Sequence, residues 1–97
     1  MRDFEPIHPG EILSEEFLKP MEITQTALAR HLDISKTYLR QVIQGKRAIT
    51  ADFAVRLAYF FDMEAEFWLN LQMRYDLIRA KSALITRPAP FTKHSPT

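Results

Sequence analysis

Along most of this 97-residue chain apolar positions recur every three or four residues, the spacing that gives a helix one apolar side. The first such stretch runs from about Pro9 to Leu18. Pro9 suits a first helical position, Glu11, Glu15 and Glu16 complement the helix dipole toward its N-terminal half, and Pro20 is expected to stop the helix. The second runs from about Gln25 to Leu32, with Thr24 as its N-cap and Ala27, Leu28 and His31/Leu32 as its inward stripe. After the connector Asp33-Ile34-Ser35, Ser35 caps a third helix, Lys36 to Gln44, and Gly45 ends it in a left-handed conformation. Leu39, Val42 and Ile43 form the inner face of that helix, while Lys36, Thr37, Arg40, Gln41 and Gln44 point away. Thr50 caps a fourth helix, in which Ala54, Leu57, Ala58 and Phe61 repeat at i, i+3, i+4 and i+7. A fifth begins near Ala65 and runs to about Lys81. Its apolar residues, from Phe67 and Trp68 to Leu77 and Ile78, spread over more than one stripe.

The pattern predicts an all-α domain of five helices over residues 1–86, with a helix-turn-helix at about 24–45. Leu84-Ile85-Thr86 is too short to assign. Three prolines in RPAPFTKHSPT remove backbone donors, so residues 87–97 are expected to form a short disordered tail.

Composition narrows the class. At 46 % hydrophobic and 26 % charged, the chain has the make-up of a soluble globular domain. With no cysteine it holds neither disulfide nor thiolate metal site. Only two glycines occur, which argues against a glycine-rich phosphate loop. The N-terminus MRDFEPIHPGE has no signal-peptide apolar run, and no stretch approaches the ~20 residues of a membrane span, so a cytoplasmic location is expected by elimination. His8, His31 and His94 do not cluster, and no HExxH, paired-carboxylate or Ser/His/Asp arrangement stands out. Neither metal, cofactor nor catalysis is expected.

Charge changes the picture more. Residues 1–34 hold three Lys/Arg against seven Asp/Glu, and residues 51–97 hold six against five. Between them, Ser35 to Thr50 holds Lys36, Arg40, Lys46 and Arg47 and no acid. A near-neutral total of +1 therefore conceals a local cationic surface, which points to a polyanion. The major groove of B-DNA admits one α-helix whose inner face is anchored in a fold. The third helix fits that need. Lys36, Thr37, Arg40 and Gln41 are placed to meet base edges: Lys can donate to guanine O6/N7, Gln can pair with adenine N6/N7, and the Thr methyl can touch a thymine methyl. Thr24 and Gln25, at the start of the second helix, and Lys46 and Arg47, after the third, are placed to meet phosphates. Tyr38 could stack near the DNA backbone or shield the turn between the helices.

Four segments in order, HPGEIL (His8 to Leu13), ALARHL (Ala27 to Leu32), GKRAITADFAVRLA (Gly45 to Ala58) and EFWLNLQMRYDL (Glu66 to Leu77), resemble the HigA-type antitoxins, within the Cro/repressor-type helix-turn-helix proteins. The likeness covers about seventy of the 97 residues; one departure is Met21-Glu22-Ile23, where a Leu-Gly-containing turn is commoner. The resemblance implies a homodimer that represses its own operon at a palindromic operator. It also implies a small basic toxin partner, typically a RelE-like ribonuclease that cleaves mRNA on the ribosome. By the family pattern Gln25, Lys36, Thr37 and Gln41 fall at DNA-contacting positions. The acidic first helix, Glu11, Glu15 and Glu16, is a candidate surface for a basic toxin by charge complementarity. A stand-alone repressor, or a toxin-binding module that does not read DNA, are the alternatives.

One stripe of the fifth helix should pack on the core, leaving a second exposed on a monomer. Trp68, Leu69, Gln72, Met73, Asp76 and Leu77 are expected there as a twofold dimer interface. Two reading helices about 34–36 Å apart would then address successive major-groove faces.

Overall fold

A computed structural model of the chain describes residues 5–92. Among these, all regular secondary structure is helical, in five helices. The first, α1, is composite. Pro9–Ile12 is α-helical, Leu13–Leu18 widens into a π-helix, and Lys19–Met21 returns to α geometry. Then follow α2 (Gln25–Leu32), α3 (Lys36–Ile43), α4 (Ala51–Phe61) and α5 (Ala65–Ala83).

Pro20 does not stop α1. In a regular helix its ring would crowd the carbonyl four residues back, and it has no N–H to donate. The π turn just before it relaxes that conflict: Lys19 N–H bonds to the Ser14 carbonyl, five residues back, and the chain passes through Pro20 to Met21.

Starts and stops follow local chemistry. Thr24, Ser35 and Thr50 each accept a backbone N–H three residues on, at 3.0, 3.0 and 3.2 Å. His8 caps α1 by accepting the Gly10 N–H on Nδ1 at 2.9 Å. Four helices end in one closure, a left-handed residue after which the chain bonds back into the last turn. Those residues are Glu22 (φ 57°), Asp33 (φ 57°), Gly45 (φ 78°) and Asp62 (φ 55°). The bonds are Ile23 N–H to Leu18, Ile34 N–H to Ala29, Lys46 N–H to Gln41 and Met63 N–H to Ala58, at 2.8–3.0 Å. Glu22 occupies the conformation that a glycine would take in the commoner form of that turn.

The core gathers Leu13 and Leu18 from α1, Leu28 and Leu32 from α2, Leu39 and Val42 from α3, Ile49, and Phe53 and Leu57 from α4 around a fully buried Trp68. Phe17 lies 5.0 Å from both Trp68 and Phe61, ring centre to ring centre, so α1, α4 and α5 meet in an aromatic cluster. In α2 the inward set is Leu28, Ala29 and Leu32; His31 is exposed and only leans on Phe60. Gly10 is needed where α1 meets the end of α3, because a Cβ there would run into the Val42 carbonyl. Arg56 of α4 holds the end of α2, donating from Nη1 to the Leu32 carbonyl at 2.6 Å while Nε pairs with Asp52.

Helix α5 is rotated relative to the expected dimer stripe. Trp68 and Gln72 lie inside the fold, and Leu69 is half-buried against the core. They pack there because α5 lies across the α1–α4 body on that side. Met73, Asp76 and Leu77 remain exposed, and Phe67, which the expected stripe omitted, joins them. Residues 84–92 carry no helix or strand; the remainder of the expected tail, 93–97, and His94 with it, lies outside the described residues. No helix among the described residues is long and apolar enough to cross a membrane.

Candidate nucleic-acid interface

The chemistry of the interface begins at Ser35. Its hydroxyl caps α3, so Lys36 and Thr37 occupy the first turn, where backbone N–H groups lack helical partners. Leu39 and Val42 are fully buried, so the opposite face, with Lys36, Thr37 and Arg40, is exposed. Gln41 is half-buried at its edge.

The loop from Gly45 to Thr50 is held from several sides. Tyr38 stands edge-on to Phe53, 5.5 Å between centres, and its hydroxyl donates to the Ala48 carbonyl at 3.4 Å. It therefore shields the loop after α3. Gln72 reaches from α5 and accepts the buried Ile49 N–H on Oε1 at 2.7 Å, while its Nε2 donates to Asp76 at 3.0 Å. His8 packs against Gly45 and has the Arg47 carbonyl beside its ring. Burial holds its pKa below the ordinary value of 6.5, against an upward pull from the Arg47 carbonyl and Asp76.

Lys46 is exposed after α3. Arg47 is exposed too, but not loose. Its Nε donates to Gln41 Oε1 at 2.7 Å, and its guanidinium carbon lies 5.4 Å from the centre of the Tyr38 ring. Thr24 is exposed and Gln25 half-buried at the start of α2, the Thr24 hydroxyl being the cap of that helix. The structure thus brings Lys36, Thr37, Arg40 and Gln41 onto one helix. Glu11, Glu15 and Glu16 are exposed on α1, Glu15 paired with Lys19 at 2.6 Å. Gln72 and His8 were not legible as supports of this loop, because their partners lie far away in sequence.

The helix-turn-helix family profile matches residues 15–68. Virulence-associated protein I of Dichelobacter nodosus is 48 % identical over 75 residues, covering 77 % of this chain and 69 % of that protein. Antitoxin HigA-1 of Vibrio cholerae is 40 % identical over 72 residues, covering 74 % of this chain and 68 % of the relative. The fold superposes on the structure of Pseudomonas aeruginosa antitoxin HigA with the higBA promoter at a TM-score of 0.78, with 47 % identity over 80 % of this chain and 85 % of that one. This is a non-enzymatic, DNA-binding group of proteins. The capped reading helix, its partner helix and these likenesses agree, and the chain belongs to the Cro/repressor-type helix-turn-helix family, in its HigA antitoxin branch.

Proposed function

We propose that this chain works in the cytoplasm as a dimeric antitoxin that represses its own operon by reading a palindromic operator and neutralises a small basic, RelE-like mRNA-cleaving toxin. The observation that carries the DNA side is the exposed face of α3. Lys36, Thr37 and Arg40 project there over a fully buried Leu39 and Val42, within an acid-free run from Ser35 to Thr50. Lys36, Thr37, Arg40 and Gln41 are its base-edge side. Thr24, Gln25 and Lys46 flank it as phosphate contacts.

The dimer forms through α5. Phe67, Met73 and Leu77 are exposed there, beside the half-buried Leu71 and Ile78, along one side of the helix. A second copy of the same helix is the occupant, because two copies give the reading pair a twofold axis. Glu11, Glu15 and Glu16, exposed on α1, offer the basic toxin an acidic face.

A gel shift against the DNA upstream of the gene tests the DNA side, and co-purification with the neighbouring gene product tests the toxin side. A retarded band that survives excess unrelated duplex is the expected result. A chain that holds the toxin but retards no DNA is an inhibitor module only; a chain that shifts DNA and captures no partner is a stand-alone repressor.

A further inference from the structure

Arg47 is the cation of the interface whose side chain has a fixed position. The Nε–H of a guanidinium can only donate, so the Gln41 atom it meets at 2.7 Å is the carboxamide oxygen. That settles which way the amide faces: Oε1 turns toward Arg47 and Nε2 is left for a partner. The guanidinium rests over Tyr38, and the loop behind it is pinned at the two residues that follow, Ala48 by the Tyr38 hydroxyl and Ile49 by Gln72. Among the described residues neither the Arg47 Nη groups nor Gln41 Nε2 has a side-chain or backbone acceptor.

A free glutamine suits adenine, because it presents an acceptor to N6–H and a donor to N7. Here Arg47 engages one lone pair of that oxygen and turns it toward the guanidinium, and the N–H groups the pair still offers are Gln41 Nε2 and the Arg47 Nη donors. Guanine offers two acceptors in the major groove, N7 and O6; adenine and cytosine each place an amino group there. Resting on the DNA-binding reading above, we propose that Arg47 and Gln41 act as one donor unit that reads a guanine edge. Arg47 is then a specificity-determining residue and not a phosphate cation, and Tyr38 is its positioning residue.

The test is selection of sites from a randomised duplex pool by the full-length chain and by R47A, R47K and Q41A, followed by binding to the selected site and to its single-base variants. The wild type is expected to enrich a site containing a guanine that R47A and Q41A each cease to distinguish, with discrimination there falling about tenfold or more. A Q41A/R47A double variant should lose no more at that position than either single one. R47K keeps the charge but not the planar fork, so it should lose the same discrimination while retaining affinity for unrelated DNA. Full discrimination by R47K would overturn the proposal. So would an equal loss by R47A on every sequence together with a shallower salt dependence, since that is the signature of a phosphate contact. Wild-type protein that enriches no sequence would defeat the DNA reading itself, an outcome distinct from both.

Discussion

Gln72 illustrates how much of a reading surface is decided by single buried side chains away from it. The Ile49 N–H begins the stretch that leads into α4, and the carboxamide of Gln72 is its acceptor. Replacing Gln72 with Ala leaves that donor buried and unpaired, with an expected loss of about 1–3 kcal/mol in urea unfolding. If stability is unchanged, the loop is held without it. His8 makes a second prediction, in pH. Its neutral Nδ1 accepts the Gly10 N–H, and a proton there would set donor against donor. Burial lowers the folded pKa below 6.5, so the unfolded chain takes up the proton first. The contribution of His8 is complete above about pH 6.5 and is lost as the pH falls through the depressed folded value. His8→Asn keeps a capping side chain without the titration, so its stability should vary less than that of the wild type as the pH falls below 6.5. Parallel profiles would show that His8 does not couple protonation to folding. The cap that His8 places on the first turn is local to Pro9 and Gly10; its burial against Gly45 joins segments far apart in the chain.

At the scale of the helix, sequence was most reliable where the instructions are local. Thr24, Ser35 and Thr50 cap because a hydroxyl three residues before a backbone N–H is a short-range device, and α2, α3 and α4 begin where those residues place them. Pro20 was misleading for a reason that is also local but conditional. A proline breaks an α turn, yet the π turn at Leu13–Leu18 accommodates it. The left-handed closures carry the third prediction. Glu22 holds a backbone conformation that costs an L-residue about 1–2 kcal/mol, partly offset by the greater freedom glycine has when unfolded. Glu22→Gly should therefore raise the urea midpoint, by the equivalent of about 0.5–1 kcal/mol. A lower midpoint would mean that the Glu22 side chain makes a contact that outweighs its backbone strain.

For the whole molecule, the orientation of α5 matters most. Trp68 and Gln72 are turned into the core, leaving Phe67, Met73 and Leu77 exposed on the face proposed above for a second copy. Met73→Lys with Leu77→Lys should give a protein with unchanged helix content by circular dichroism that sediments as a monomer and binds a two-half-site operator far more weakly than wild type. A double variant that remains a dimer would place the interface elsewhere. The sequence by itself determined the helical class, the starts of all five helices, the cationic stretch and the polar face of α3. Those follow from periodicity, capping and charge, which act between residues a few positions apart. Only the tertiary structure decided which side of α5 is buried, that Gln72 and His8 support the loop after α3, and that Arg47 lies against Gln41 and Tyr38. An apolar residue spread round a helix can pack on either side, and a polar one declares no partner. The choice is made when distant segments come together and each buried donor must find its acceptor.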